Sequence, residues 1–425
     1  MRYPRENQRF YEAALLLSVI KSDPDQFSSV LELQRLLIRN IIKSERRIQR
    51  LKRARGRLKK QIKFGRLAKQ ESTQLKNLVI RLENRTFDTQ HLLFLWRCFG
   101  DGIANIYQSK YSLKHLFYDG NYLIKEKAGF ISGKAGFKKE YKVLCQGIRM
   151  GVPVVMSDLT NIIRHGDVCA LSGADPVPIE LKSSALNARG RRQVEELKVL
   201  ANFYANDGAE NFRGMPNVKR IELNLPEINY ETEINNCIIQ ALDIGCSSIS
   251  PEDGLTYCVF RKSYHSKDVA SFFDETWKYD DRSTMMVQLT SDENWLPSYP
   301  FTLSLSPANS ILFMQEEICI FILIHLDTLK NHFLRRGIHA TMIMDKFSSI
   351  QICLDPNDLM KGVFRISEQR FLRGICEFQS LIWFADENSV ALKSPPDFDT
   401  TTTDSPFFIF EPPDEWKNAK DFYSN

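Results

Sequence analysis

Three residues with chemistry in their types and spacing are Asp167, Glu180 and Lys182, in the stretch RHGDVCALSGADPVPIELKSS from Arg164 to Ser184. Two carboxylates and an amine at such a separation can hold a hard divalent cation and offset the charge that builds on a phosphoryl group under attack. The same residues also suit a hairpin carrying a surface ion pair. An acid followed by a distant acid-x-Lys is expected about once by chance in a chain of this composition, so the flanking elements carry the weight.

The local pattern favours a two-stranded unit. DVCAL, beginning at Asp167, predicts a short strand, SGADP supplies turn chemistry, and VPIELK predicts a second strand. Side chains alternate along a strand, so Ile179 and Leu181 face a core while Glu180 and Lys182 face the other way. A hairpin of this length brings Asp167 near Glu180. Two close carboxylates repel, and one takes up a proton unless a cation lies between them. Asp167 and Glu180 are therefore candidate ligands for Mg²⁺, with Mn²⁺ as the alternative, and Lys182 is the candidate catalytic lysine.

Helices are expected on both sides. In GFKKEYKVLCQGIRMG, Phe137, Tyr141, Leu144 and Ile148 share one face and Glu140 stands at its rim. In NARGRRQVEELKVLANFY, Gln193 heads a stripe continued by Leu197, Leu200 and Tyr204, and Arg191 and Arg192 are placed to touch phosphate. His165 reads as a turn residue and Cys169 as a small core residue.

Residues 140–204 resemble the PD-(D/E)xK nuclease superfamily in their order: a helix with Glu140, a strand opened by Asp167, the IELK strand, and a helix carrying Gln193. The resemblance implies an α/β, restriction-endonuclease-like mixed sheet flanked by helices and a Mg²⁺-dependent endonuclease. It implies Asp167 and Glu180 as metal ligands, Lys182 as the catalytic lysine, and Glu140 and Gln193 as supporting catalytic residues. It covers about 65 of the 425 residues and departs from the superfamily's name at Gly166, where proline would precede the aspartate.

The charge distribution supplies a second clue. Residues 43–69 hold thirteen Lys and Arg against one acid, Glu45, a local charge of +12. The remaining 44 basic and 51 acidic residues leave −7, so the overall +5 conceals one strongly cationic element. Such an element suits a phosphate backbone, with Arg46, Arg47, Arg50, Arg53 and Arg57 as candidate contacts. A solvated dimerisation helix is the competing reading.

Around this centre the chain divides by texture. A helix is expected over about 6–20, then a long one from Phe27 toward Phe64 whose Leu37, Ile41, Ile48, Leu51, Leu58 and Ile62 trace a heptad seam broken at Ser44 and Arg55. With Leu75, Leu78 and Leu82 following Gly65, this predicts a coiled-coil-like antiparallel hairpin over 27–84. The expected organisation is a basic helical arm (1–84), a nuclease-like domain (85–273), a C-terminal α/β or α+β domain (285–392) and an irregular tail (393–425).

Other classes are excluded or disfavoured. The longest apolar stretch in the most hydrophobic region, Ile318–Ile324, is too short to cross a bilayer, and MRYPRENQRF has no secretory apolar region. Nine scattered cysteines without CxxC point to reduced thiols in the cytoplasm. KAGFISGKAGF fails as a P-loop because Ala128 and Ala135 stand where Gly and Ser or Thr are needed; Lys134, Lys138 and Lys139 there can still touch a nucleic-acid backbone. The expectation is a cytoplasmic metal-dependent nuclease, acting on DNA more than RNA and suited to defence against foreign DNA. A second copy or partner protein is accommodated by the N-terminal helices or the C-terminal domain. The alternative is a non-catalytic nucleic-acid-binding or assembly protein with a nuclease-like fold.

Overall fold

The computed structural model describes residues 1–393 apart from 128, 182–187, 222, 224, 264, 265, 294, 295, 345–347 and 359–361, and the side chains of those residues apart from 189, 266–268, 270 and 281. The architecture is mixed α/β, with long N-terminal helices and several small sheets. The described residues form two compact units, each from two stretches of chain: Met1–Val218 with Ser291–Glu317, and Lys219–Thr290 with the described residues from Ile318 to Lys393. The N-terminal helices share one core with the strands around Asp167, and the tail expected over 393–425 lies from 394 on outside the described residues.

In the first unit, α1 (Asn7–Ser22) buries Phe10, Ala13, Ala14, Leu17 and Ile20, three and four residues apart. Helix α2 (Phe27–Phe64) buries Val30, Leu33, Leu37, Ile41 and Ile48. Beyond Ile48 it has no fully buried residue, and Leu51, Arg55, Leu58 and Ile62 continue the seam half-buried. The chain reverses through 65–68 into α3 (Lys69–Tyr107). Lys59 reaches Glu83 at 2.8 Å near the turn and Arg97 lies 3.8 Å from Glu45 further down, as in an antiparallel hairpin. Arg55, which breaks the heptad pattern, lies 3.6 Å from Glu83. The hairpin thus exists, but its second helix continues to Tyr107 because Trp96, Phe99 and Ile103 are core residues.

After the short α4 (Lys110–Leu113) comes α5 (Phe137–Arg149), which buries Glu140, Leu144 and Ile148. Strands β1 (Val154–Met156), β2 (Val168–Ala170) and β3 (Val177–Ile179) form a three-stranded antiparallel sheet with β2 in the middle. The connection through 171–176 is too short for the crossover that parallel pairing needs, so the strands around Asp167 do not make the mixed sheet anticipated. Helix α6 (Ala188–Ala205) and the hairpin of β4 (Gly208–Phe212) with β5 (Met215–Lys219) follow.

The second unit holds α7 (Glu231–Ile244), α8 (Ser266–Thr276) and an antiparallel sheet of β6 (Cys246–Glu252), β7 (Leu255–Arg261), β8 (Thr284–Leu289) and β9 (Ile318–His325), in the order β6-β7-β9-β8. The apolar run Ile318–Ile324 is the inner strand β9. Two short helices, α9 (Phe301–Ser304) and α10 (Pro307–Met314), belong to the first unit. The second unit continues with α11 (Leu326–Leu334), a sheet of β10 (His339–Met342), β11 (Ser348–Cys353) and β12 (Val363–Ser367), then α12 (Glu368–Cys376) and α13 (Leu381–Lys393). Among the described residues no helix is long and apolar enough to cross a membrane. Cys98, Cys169, Cys237, Cys258 and Cys353 are buried free thiols.

Candidate functional site

Three carboxylates in the first unit converge on one ammonium. Lys134 Nζ lies 2.8 Å from Asp158 Oδ2, 3.0 Å from Asp167 Oδ1 and 3.0 Å from Glu140 Oε2. Lys134 stands in the loop before α5, Glu140 on the first turn of that helix, Asp158 in the single 3₁₀ turn after β1, and Asp167 just before β2. The second oxygen of Asp167 accepts the Leu181 backbone N–H at 2.8 Å, which fixes the carboxylate against the end of β3.

Buried polar residues of the helical hairpin hold these segments in place. Glu45 on α2, fully buried, accepts the backbone N–H groups of Ile131 at 3.1 Å and Ser132 at 2.8 Å. It thereby grips the turn that leads to Lys134. Arg97 on α3 donates from Nε to the Asp158 carbonyl at 3.0 Å and from Nη2 to the Gly129 carbonyl at 3.3 Å. Gln34 on α2 donates to the Val154 carbonyl at 2.7 Å and accepts from the Met156 N–H at 3.2 Å, fastening β1. A β-carbon added at Gly100 would lie 2.0 Å from the Leu159 carbonyl oxygen, so only glycine lets α3 approach the Asp158 turn this closely. Asp101 accepts the N–H groups of Asn161 at 2.7 Å and Ile162 at 3.1 Å; burial pushes its carboxyl up to about 6 against those bonds.

Gly166 explains the missing proline. Its φ of +71° is closed to proline, and an added β-carbon would lie 2.8 Å from the Ile179 nitrogen. This conformation delivers Asp167 into its hydrogen bond with the Ile179 carbonyl at 2.8 Å. His165, also buried, is a structural neighbour. Lys125 approaches its Nδ1 at 3.0 Å and can only donate, so Nδ1 accepts and Nε2–H donates to the Tyr118 carbonyl at 2.7 Å. Burial, then the Lys125 ammonium, push it down to about 4, and it is neutral at neutral pH.

The cluster's charge is unbalanced. Three carboxylates around one ammonium carry a formal −2 if all are ionised, in a setting where Glu140 is 2 % exposed. Burial holds the Glu140 carboxyl above its ordinary value; Lys134 opposes this, while Asp167 and Asp158 reinforce it. Burial also works against the Lys134 charge, but Asp158 and Asp167 outweigh it and hold the ammonium above its usual range. Among the described residues there is no group of three or more His, Cys, Asp or Glu side chains whose placement could hold a metal ion as it stands, the lysine ammonium occupying the centre of this one. The oxygens lie 2.8–3.0 Å from the ammonium nitrogen. Mg²⁺ draws its ligands to about 2.0–2.1 Å, so binding it requires a contraction of about 0.7–1.0 Å. All three donors are hard carboxylates gathered around a cation, a set whose chemistry suits Mg²⁺ or Mn²⁺.

The sequence candidates fall in three groups. Asp167 and Glu140 meet at the cluster. Glu180, half-buried, follows β3 directly, and the pairing of Val168 with Ile179 sets it opposite Asp167 one step further along the register. Gln193 is half-buried on α6, with Arg191 and Arg192 exposed beside it. Lys182 lies outside the described residues. Asp158 was not anticipated, and Lys134 was anticipated only as a backbone contact; the faint signal for Asp158 was an acid ending the apolar run VPVVMSD.

On α2, Arg46, Arg50, Arg53 and Arg57 are exposed and spaced four, three and four residues apart, which places them in one stripe. Arg47 points off that stripe and lines a cleft of about 330 Å³ with Arg2, Tyr3 and Asp88. The only acid of the segment, Glu45, is turned inward, so it leaves the arm's outer charge undiminished. No protein-family model, curated protein or solved structure matches the chain.

Proposed function

We propose that the chain is a divalent-metal-dependent nuclease, with DNA favoured over RNA and Asp167, Asp158 and Glu140 as the carboxylates that hold the ion. The observation that carries this reading is their convergence within 3.0 Å of one cationic centre. The PD-(D/E)xK resemblance implies Glu180, opposite Asp167, as a further metal ligand, Lys182 as the catalytic lysine and Gln193 as a supporting residue, and the proposal keeps these roles. Bound there, Mg²⁺ or Mn²⁺ supplies the charge stabilisation and nucleophile activation that phosphodiester hydrolysis needs. The chain's own residues orient the carboxylates: Leu181 N–H fixes Asp167, Arg97 fixes the Asp158 turn, and Glu45 fixes the Lys134 loop.

The arginine stripe of α2, with Arg191 and Arg192 on α6, supplies phosphate contacts that give affinity with little sequence readout. Such a nuclease suits defence against foreign DNA in a reducing compartment. The test is cleavage of duplex DNA, single-stranded DNA and RNA with Mg²⁺, with Mn²⁺ and with chelator. Metal-dependent scission that is lost in Asp167→Ala supports the reading. One observation favours the alternative of a non-catalytic nucleic-acid-binding protein: Lys134 already places a cation among the carboxylates. In that case nucleic acid binds, but divalent ions neither bind nor promote cleavage.

A further inference from the structure

We propose that Lys134 is a built-in occupant of the metal site, and that a divalent ion enters by displacing its ammonium group. The inference rests on the reading of Glu140, Asp158 and Asp167 as metal-holding carboxylates and adds how access to them is controlled. The ammonium touches all three at 2.8–3.0 Å, so it fills the point toward which an ion would draw them. Two cations cannot share that point, because their repulsion at short range in a partly buried setting far exceeds any ligand's gain.

Two features make the ammonium a removable occupant. The Lys134 side chain is 28 % exposed, whereas Glu140 is 2 % exposed, so the lysine can withdraw toward water on its flexible stem while the carboxylates stay. Its fit is also imperfect: Glu140 Oε2 is buried and makes no hydrogen bond among the described residues, the ammonium lying 3.0 Å away with poor alignment. A buried carboxylate oxygen left this way is a site a metal–oxygen bond can satisfy and an ill-aimed N–H cannot. The loop carrying Lys134 is fastened two residues earlier by Glu45, so the turn stays fixed while the side chain moves.

The occupant competes with the ion, and removing it tightens ion binding. Mn²⁺ binding is measured by electron paramagnetic resonance for the wild type, Lys134→Gln and Lys134→Met, with thermal unfolding followed in parallel. The two variants are expected to bind Mn²⁺ at least about tenfold more tightly than the wild type. Lys134→Arg, which keeps the positive charge, is expected to bind no more tightly than the wild type. A variant that unfolds without the ion and folds with it supports displacement, since the ion then replaces the lost ammonium. Equal or weaker Mn²⁺ binding by Lys134→Gln and Lys134→Met overturns the proposal, as does a variant that stays unfolded at saturating Mn²⁺. Failure of all proteins to bind Mn²⁺ removes the metal-site reading itself. Tightened binding without cleavage of any nucleic acid retains displacement and removes only the nuclease.

Discussion

Replacing Arg46, Arg50, Arg53 and Arg57 together with Gln removes four charges from one stripe of α2. At a helical rise of 1.5 Å per residue the stripe spans about 16 Å, matching four to five phosphates of one strand at about 3.4 Å each. If each guanidinium neutralises one phosphate, the slope of log affinity against log salt flattens by about 3.6 on duplex DNA and about 2.8 on a single strand. Between 50 and 200 mM salt, the wild type's advantage over the quadruple variant then shrinks by about 150-fold on a duplex. All four side chains are exposed and none makes an ion pair among the described residues, so the fold should not suffer. Fluorescence anisotropy of a labelled duplex at five salt concentrations reads the slope directly. A change of less than about one would refute the assignment of this stripe to phosphate.

Further consequences concern how the site is held. Glu45→Ala strips the buried Arg97 of its nearest carboxylate and two N–H groups of their acceptor, and should cost about 3–5 kcal/mol in urea unfolding, with Glu45→Gln costing less; a loss under about 1 kcal/mol would contradict the clamp. Gly166→Ala, strained at φ +71° and crowded by Ile179, should lose about 2 kcal/mol or more, with any nucleolytic activity falling in parallel. The Asp101 carboxyl, raised to about 6 when folded, contributes stability that is full below about 4 and is lost as pH rises through 6. The wild type should therefore lose up to about 3 kcal/mol more than Asp101→Asn between pH 4 and 7. Parallel pH profiles for the two proteins would show that Asp101 is not the group responsible.

The helices were legible where their apolar spacing was one-sided. Phe10 to Ile20 and Phe137 to Ile148 each mark a single buried face, and both helices lie close to where that spacing puts them. The hairpin of β2 and β3 was legible from alternation around the SGADP turn. The second half of α3 was not. HLLFLWRCFGDGIANIY is apolar on several faces because it runs through the core, so its helical period is hidden, and Gly100 serves close packing rather than a turn. Asp167 and Glu140 were found because the motif joins them over a short stretch of chain. Asp158 and Lys134 reach the same centre only through the placement of Arg97 and Glu45, a tertiary fact that local pattern does not carry. Glu45 did leave a trace: the lone acid among thirteen cations sits four residues after Ile41 and three before Ile48, inside the seam rather than outside it.

The central claim is that these carboxylates hold an ion for phosphodiester cleavage, and Asp158 tests it most directly because no sequence motif singled that residue out. Nucleic-acid cleavage is measured with Mg²⁺ or Mn²⁺ for the wild type and Asp158→Ala, with binding followed alongside. The account predicts metal-dependent scission by the wild type, a fall of at least about 100-fold in the variant, and binding that is retained in both. Cleavage undiminished in Asp158→Ala, or none by the folded wild type with either metal on DNA or RNA, would contradict it.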